Sequence, residues 1–195
     1  MLTLISKPQT RSASIIWLLE EIGASYETRV VTTRTADGKG ARDPNNPHPH
    51  GKVPALLHDG ALVFESAAIA LYLVDLFPEA GLGPRVGEPK RGALLSWLAY
   101  RPGVLEPAML ERHLKIEHVT GAMGWPEPDE VDALLNRHLA ENRYFLGDKF
   151  SAADIMVGGA IQFMIMVKRM AETLVFKEYV ERITARPAFQ RAMAK

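Results

Sequence analysis

The sequence predicts an α/β unit followed by an all-helical unit. Short runs with strand character occur only in residues 1–77, where they alternate with helical segments. From residue 88 onward, every periodic segment spaces its apolar residues three and four apart, as amphipathic helices do. Residues 78–89 contain three prolines and three glycines, which is typical of a linker. We therefore predict two domains, 1–77 and 88–195, joined by a linker at 78–87.

Composition excludes several classes of function. The 195 residues include 23 basic and 23 acidic side chains, so no net charge favours nucleic acid or an anionic membrane as a partner. The chain has no cysteine, which excludes disulfides, thiolate metal sites and a protein thiol nucleophile. Any thiol chemistry therefore needs a thiol from the ligand. No signal peptide and no apolar run of about 20 residues is visible, so we expect a cytoplasmic protein.

The N-terminal elements form a β-α-β pattern. Residues 2–5 suit a short strand, and residues 12–22 carry an apolar face at helical spacing that ends at a glycine. β-branched residues predict a second strand over 26–32. The segment 33–52 is polar and contains an Asp-Gly turn signal that begins at position 37, so we predict a long connection there.

A predicted β-hairpin is the most informative stretch of the chain. Two apolar runs, 53–57 and 61–64, flank Asp59-Gly60, and an Asp-Gly pair between such runs is a strong hairpin signal. Apolar residues at helical spacing then predict a helix over 66–77. The start of this helix offers unpaired backbone N–H groups and the positive end of the helix dipole, which favour a bound carboxylate.

A proline in the first strand of the hairpin indicates an edge that suits a ligand. Pro54 has no backbone N–H, so it is tolerated only at a sheet edge, and X-Pro bonds are where cis peptides occur. The backbone of Val53 is then available to an extended ligand. Ser66 at the helix start and the side chain of Lys52 can each take a carboxylate. Together these residues predict a docking edge for a short peptide.

This arrangement resembles the glutathione site of the cytosolic glutathione transferases (GSTs). The shared features are Lys-Val-Pro-Ala-Leu, a hairpin, and Glu-Ser at a helix start. The resemblance implies that Pro54 is cis and that Val53 pairs with the cysteinyl backbone of glutathione. It implies that Glu65 binds the γ-glutamyl amino group, that Ser66 helps to hold this end, and that Lys52 contacts the glycyl carboxylate.

The resemblance continues through the second half, in one frame from residue 1 to about 190. The run 145–155 is similar to a capping box of the family, in which Ser151 and Asp154 begin a buried helix. The implied fold is an N-terminal thioredoxin-like domain with a four-stranded mixed sheet and a C-terminal helical-bundle domain. The chain is similar to bacterial members, with its class unassigned, and the resemblance implies a homodimer.

The resemblance also implies where the thiol is activated. In the family, a Tyr, Ser or Cys after the first strand favours the thiolate of glutathione, but this chain has no Tyr or Cys there. The available hydroxyls are those of Thr10, Ser12 and Ser14, around Arg11. Comparison with bacterial members favours Ser12 and Thr10 equally, with Arg11 as an electrostatic helper. The same residues also suit capping of the first helix, and the two roles do not exclude each other.

Two further expectations concern the rest of the ligand site. The histidines at 48, 50 and 58 lack a carboxylate or thiolate set, so we predict no metal site. We expect His50 to help shape the ligand pocket. An apolar co-substrate is expected between the domains, against soft and aromatic side chains. Candidates for its walls are Trp97, Tyr100, Met109, Met123 and Trp125.

Two functions agree with these residues. In the first, the chain is a glutathione transferase involved in detoxification. It activates the thiol of glutathione for attack on a small electrophilic apolar co-substrate, or for reduction of a peroxide or disulfide. In the alternative, the chain is a GST-like module that binds glutathione with little turnover and acts as an interaction or regulatory protein.

Overall fold

The computed structural model of the chain describes residues 1–35 and 38–195, so Asp37 of the predicted turn lies outside the described residues. The chain divides into two compact units. The first unit comprises residues 1–80 and 187–195, and the second unit comprises residues 81–186. The domain boundaries expected at 77 and 88 stay a prediction. The packing adds that the last nine residues belong with the first unit.

The first unit is built on a four-stranded mixed sheet. Its strands are β1 Leu2–Ser6, β2 Tyr26–Val30, β3 Ala55–His58 and β4 Ala61–Phe64. They lie in the order β2-β1-β3-β4, with β2 parallel to β1, β3 antiparallel to β1, and β4 antiparallel to β3. All five residues of β1 are buried, because this central strand has neighbours on both sides. The predicted thioredoxin-like fold class is confirmed.

The Asp-Gly pair forms the predicted hairpin turn. His58 of β3 pairs with Ala61 of β4, which leaves a loop of two residues. Both loop residues have positive φ, 48° at Asp59 and 85° at Gly60. A two-residue turn with both φ angles positive matches the right-handed twist of the flanking strands, and glycine adopts such a conformation without steric cost.

Helices pack on the sheet in the first unit and form the whole of the second unit. They are α1 Ser12–Ile22, α2 Ser66–Leu76, α3 Arg91–Tyr100, α4 Glu106–Leu114, α5 Pro128–Glu141, α6 Gly159–Met166, α7 Leu174–Thr184 and α8 Pro187–Met193. The C-terminal α8 packs on α1, where Phe189 stands edge-on to the buried Trp17 with ring centroids 4.9 Å apart. The Arg191 guanidinium also donates to the Glu20 carboxylate at 2.9 Å. These contacts explain why the C-terminus joins the first unit.

The second unit is all helical, as predicted, but Pro102 does not separate two helices there. Helix α3 continues into α4 through a π-helical turn, Arg101–Leu105. The wider turn accommodates a residue without a backbone N–H, so the chain stays helical from Arg91 to Leu114. In the ranges 1–35 and 38–195, no helix is long and apolar enough to cross a membrane.

A buried carboxylate begins the helical segment that leads into α6. Asp154 Oδ2 accepts from the backbone N–H and from the hydroxyl of Ser151, both at 2.9 Å. Its Oδ1 accepts from the Phe145 N–H at 3.0 Å and from the Tyr179 hydroxyl at 2.9 Å. The Asp154 carboxylate therefore reaches back to the Ser151 N–H as in a capping box, whereas the Ser151 hydroxyl donates to this carboxylate and does not accept from a backbone N–H of the first turn. Burial raises the pKa of Asp154.

Candidate functional site

The sheet register brings the three predicted site segments together. Ala55 at the start of β3 pairs with Ile5 near the end of β1 and with Phe64 at the end of β4. The loop after β1, the proline segment before β3 and the first turn of α2 after β4 therefore leave the sheet at the same end. This end of the sheet lies within the first unit and is the candidate site.

The edge predicted from Pro54 is present. The Val53–Pro54 peptide bond is cis, which agrees with the resemblance. Pro54 is buried and Val53 is half-buried. Because β3 begins only at Ala55, Val53 stands outside the strand pairing, and none of the described residues hydrogen-bonds to its backbone. The backbone N–H and C=O of Val53 are therefore available to a ligand in an extended conformation.

Two buried polar residues hold the loop that precedes this edge. The Asn46 side chain donates to the Lys52 carbonyl oxygen at 3.0 Å and accepts from the His48 backbone N–H at 3.0 Å. The His48 carbonyl oxygen accepts from the Gly51 N–H at 2.8 Å and from the Arg42 guanidinium at 3.2 Å. Asn46 and His48 are only 4% and 3% exposed. The sequence predicts neither as part of the site, because burial of a loop residue leaves no periodic signal.

The two residues expected near the glycyl carboxylate stand on this loop. Lys52 is exposed, and within the described parts of the chain no acceptor hydrogen-bonds to its ammonium group. His50 is exposed as well, and its backbone N–H donates to Nδ1 of His48 at 3.1 Å. The loop thus holds His50 through its backbone and leaves both side chains open to a ligand.

The N-terminus of α2 is open, which here means that its first backbone N–H groups have no acceptor among the described residues. Glu65 precedes the helix with a φ of 69°, a left-handed value that is uncommon for this residue type, and its side chain does not cap the helix. The carboxylate of Glu65 is 67% exposed, with Oε1 3.9 Å from Nε2 of His48. The N–H of Ile69 donates to the Glu65 carbonyl oxygen, but no described group accepts from the N–H of Ser66 or Ala67. Backbone donors of this kind at a helix N-terminus suit an anion.

The N-terminus of α1 is closed by its own residues. The Thr10 hydroxyl donates to the Lys7 carbonyl oxygen at 2.6 Å and its oxygen accepts from the Ser12 backbone N–H at 3.3 Å. The two hydroxyl oxygens, of Thr10 and Ser12, lie 3.2 Å apart. The Ala13 N–H donates to the Thr10 carbonyl oxygen at 3.1 Å. Ser12 is fully buried, Thr10 is half-buried and Arg11 is exposed, so the hydroxyl of Thr10 is the more accessible of the two.

The predicted co-substrate residues of the second unit make contacts inside that unit. The ring of Trp97 packs against that of Tyr100, with centroids 5.3 Å apart, and Met109 is fully buried. The indole N–H of Trp125 donates to the buried carboxylate of Glu111 at 2.7 Å. This hydrogen bond lowers the pKa of Glu111. Trp97, Tyr100 and Trp125 are half-buried, and these contacts do not by themselves identify an apolar pocket.

The second unit also has a cavity of about 630 Å³ with a charged lining. Arg112 donates to Asp129 at 2.8 Å and to Asp132 at 2.9 Å. Oδ1 of Asp132 and the Tyr100 hydroxyl are buried without a partner in the described residues. Burial and the Asp132 carboxylate raise the pKa of Tyr100 to about 12. No group of three metal-ligating side chains is found in the part of the chain that the structure describes.

A mixed sheet of this order with a cis-proline edge, followed by an all-helical unit, defines a class of two-unit thioredoxin-like proteins. The family model for the glutathione S-transferase N-terminal domain matches residues 1–75. The model for the glutathione S-transferase C-terminal domain matches residues 129–194. The chain belongs to the glutathione S-transferase family.

Individual relatives are similar to this chain over most or all of its length. Glutathione S-transferase 3 of Schizosaccharomyces pombe is 28% identical over 179 residues, which cover 79% of this chain and 70% of that protein. A glutathione transferase of Methylococcus capsulatus has a crystal structure with a TM-score of 0.80 and 29% identity, covering 100% of this chain and 98% of that one. A sphingomonad glutathione S-transferase complexed with glutathione has a TM-score of 0.79 and 28% identity, over 98% of this chain and 97% of that one.

These relatives confirm the predicted family and the predicted enzyme class, a glutathione S-transferase. They do not favour the alternative of a binding module with little turnover. The class within the family stays unassigned, and the role of each site residue stays a prediction.

Proposed function

We propose that the chain binds glutathione at the end of the sheet described above and activates its thiol for attack on a small electrophile. One observation carries this proposal. Three features lie at the same end of the sheet: the unpaired backbone of Val53, the open helix N-terminus at Ser66 and the half-buried hydroxyl of Thr10. These groups suit the backbone, a carboxylate and the thiol of a γ-glutamyl-cysteinyl-glycine peptide. The sphingomonad relative, complexed with glutathione, supports this choice of ligand.

The γ-glutamyl end of glutathione binds at α2 in this proposal. Its carboxylate accepts from the backbone N–H groups of Ser66 and Ala67, where the helix dipole also favours an anion. Its ammonium group pairs with the exposed carboxylate of Glu65. Hydrogen bonds to charged groups are worth roughly 1.5 to 3 kcal/mol each. We therefore expect this end to supply the largest share of the binding free energy.

The remaining parts of glutathione follow the loop and the strand edge. The cysteinyl backbone pairs with the N–H and C=O of Val53, in the manner of an added strand. Val53 is available for this pairing because β3 begins only at Ala55. The glycyl carboxylate then lies near Lys52, and the exposed ring of His50 closes this side of the pocket.

Thr10 is the proposed donor to the thiolate. Its hydroxyl is half-buried, whereas that of Ser12 is fully buried. In the unliganded chain, the Thr10 hydroxyl is placed to donate to the Lys7 carbonyl oxygen or to Ser12 Oγ. On binding, the Thr10 hydroxyl turns to the sulfur, and the Ser12 hydroxyl becomes the donor of the Thr10–Ser12 pair and polarises Thr10 Oγ1. A free thiol has a pKa of about 8.5. One such hydrogen bond lowers it by about one to two units, and the exposed charge of Arg11 adds to this effect.

For the co-substrate, the oligomeric state and the cellular location, we propose only a general class. We expect a small apolar electrophile, or a peroxide or disulfide that the bound thiol reduces, and a cytoplasmic homodimer. Exposed apolar side chains on β4, Leu62 and Phe64, support an interface between copies of the chain. Light scattering at micromolar concentration is expected to give the mass of a dimer, and a monomeric mass would contradict this part of the proposal.

Calorimetric titration with glutathione, followed by ultraviolet absorbance of the bound thiolate against pH, tests the proposed function. We expect saturable binding and a thiol pKa at least one unit below that of free glutathione. A conjugation assay with an aryl halide then measures turnover on the same sample. Binding without a pKa shift or turnover would favour the non-catalytic module, and absence of binding would overturn the proposal.

A further inference from the structure

A buried histidine links the loop before the cis proline to the carboxylate at the start of α2. His48 is 3% exposed, and its ring packs edge-on against Phe64 with centroids 5.4 Å apart. One ring nitrogen faces the loop, and the other lies 3.9 Å from Oε1 of Glu65. The side chain thus contacts two parts of the proposed glutathione site at once.

The hydrogen bond from the loop fixes the tautomer of this ring. The His50 backbone N–H donates to Nδ1 of His48 at 3.1 Å, so Nδ1 must carry a lone pair. The ring is therefore neutral with its proton on Nε2, the atom nearest to the Glu65 carboxylate. If the ring took up a second proton, two N–H donors would face each other at Nδ1 and the loop contact would be lost.

The charged surroundings of His48 are mixed. The titratable and charged groups that act on its ring are Glu65 at the start of α2, and His50, Arg42 and Lys52 in the loop. Burial is the largest effect and lowers the pKa of His48, and the three basic groups act in the same direction, while Glu65 opposes them. The geometry and the burial of the ring therefore both favour the neutral form.

We propose that neutral His48 is a positioning residue for glutathione. Through Nδ1 it fixes the loop that carries Lys52 and Val53, and it directs Nε2–H toward the carboxylate of Glu65, 3.9 Å away, where the γ-glutamyl ammonium binds. This inference rests on the proposed function, because it acts through the proposed contact of Glu65. Protonation of His48 breaks the loop contact and draws Glu65 toward the ring, so acid conditions weaken glutathione binding.

Two substitutions separate the roles of the two nitrogens. His48→Asn places a carbonyl oxygen near Nδ1, which keeps an acceptor for the His50 N–H but leaves nothing at Nε2. His48→Gln places an amide nitrogen near Nε2, which keeps a donor for Glu65 but loses the loop acceptor. The matched control is His113→Gln, which removes an exposed histidine ring from α4 in the second unit, outside this loop. Melting temperatures establish that each variant is folded.

The probe is S-methylglutathione, whose blocked sulfur removes thiol ionisation from the measurement. Calorimetry at pH 7.5 compares His48→Asn in the wild-type background and in a Glu65→Gln background. We expect a three- to tenfold loss of affinity in the first background and little further loss in the second. Between pH 7.5 and 5.5, we expect wild-type affinity to fall at least threefold and that of His48→Asn to stay level. The control variant is expected to keep the wild-type decline on acidification.

The outcomes distinguish the inference from the proposed function. An equal loss from His48→Asn in both backgrounds, or an unchanged decline with acidification in this variant, would overturn the inference alone. If His48→Asn does not fold, His48→Gln is expected to keep the coupling to Glu65, and loss of that coupling would likewise overturn the inference. Absence of wild-type binding, or no effect of Glu65→Gln, would overturn the proposed function and the inference with it.

Discussion

The two helix N-termini at the candidate site differ in how their first backbone N–H groups are used. At α1, the N–H groups of Ser12 and Ala13 donate to the hydroxyl and the carbonyl oxygen of Thr10. At α2, no described group accepts from the N–H of Ser66 or Ala67. The closed terminus can offer a hydroxyl to a thiol, whereas the open terminus can bind a carboxylate directly.

The residues before each helix explain the difference. Before α1, Thr10 stands two positions ahead of Ser12, and its hydroxyl oxygen accepts from the Ser12 N–H. Before α2, Glu65 has a φ of 69° and its side chain does not turn back onto the helix. A carboxylate that capped its own helix would fill the anion site. The left-handed backbone at Glu65 thus keeps the donors free and the carboxylate available for an ammonium group.

A third helix N-terminus lies before α6 in the second unit. We call it sealed, because its polar groups are paired with one another inside the unit. The Asp154 carboxylate is buried and accepts from four donors. Nothing from outside the unit is needed to satisfy these groups. The three termini therefore form a series from sealed through closed to open, and we propose that the series corresponds to roles in stability, thiol activation and ligand binding.

The largest effect is expected at the sealed terminus. Asp154→Ala leaves the N–H of Phe145 and of Ser151 and the hydroxyl of Tyr179 without their acceptor. Each buried donor that loses its acceptor costs about 1 to 3 kcal/mol of unfolding free energy, so the loss of all three is expected to cost at least about 3 kcal/mol. Urea unfolding measures this loss, and Asp148→Ala at an exposed position of the same loop is the control. A loss similar to that of the control would show that the carboxylate does not hold this helix.

The next largest effect is expected at the open terminus. Glu65→Gln removes the charge that pairs with the γ-glutamyl ammonium, so glutathione affinity is expected to fall about tenfold or more. The melting temperature should change little, because this side chain is 67% exposed. Glu79→Gln is the matched control, since Glu79 is an exposed carboxylate of the same unit. Unchanged glutathione affinity in Glu65→Gln would show that Glu65 does not bind the γ-glutamyl ammonium.

A smaller effect is expected at the closed terminus, on the thiol and not on affinity. Thr10→Val keeps the shape of the side chain but removes the hydroxyl, and it should raise the pKa of the bound thiol by about one to two units. Ser12→Ala removes only the supporting donor and should raise it by less than half as much. Ultraviolet absorbance of the thiolate measures both. A larger shift in Ser12→Ala than in Thr10→Val would assign the donor role to Ser12.

The smallest effect concerns the stability of the loop beside the open terminus. Burial lowers the pKa of His48 in the folded chain from the ordinary 6.5, so the unfolded chain binds its proton first on acidification. This group therefore contributes stability above about pH 6.5 that is lost as the pH falls, by at most about 1.4 kcal/mol per pH unit. Melting curves from pH 7.5 to 5.5 should show a weaker decline in His48→Gln. Parallel declines would contradict this.

Local signals in the sequence predicted the elements that depend on neighbouring residues. The Asp59-Gly60 turn has two positive φ values, which few residue types adopt readily, and Pro54 has no backbone N–H and is therefore tolerated only at a sheet edge. Each feature depends on a few residue types, so it can be seen in the sequence. The charged start of α2 at Glu65-Ser66 is also local. These features made the hairpin and the proposed ligand edge predictable.

The features that the sequence did not predict depend on distant contacts. The burial of Asn46 and His48 depends on a loop folding back on its own carbonyl groups, and polar loops have no hydrophobic period that indicates burial. The packing of α8 on α1 depends on Phe189 meeting Trp17, far along the chain. Helix continuation through Pro102 depends on a π-helical turn that propensity does not indicate.

The most direct test of the central claim is an amide-resolved NMR titration of the full chain with S-methylglutathione. The claim is that the open terminus of α2 binds the γ-glutamyl carboxylate, while the closed terminus of α1 only faces the sulfur. The account predicts that the amides of Ser66 and Ala67 shift most, together with that of Val53, and that those of Ser12 and Ala13 shift less. Largest shifts at Ser12 and Ala13, with Ser66 and Ala67 unchanged, would contradict it.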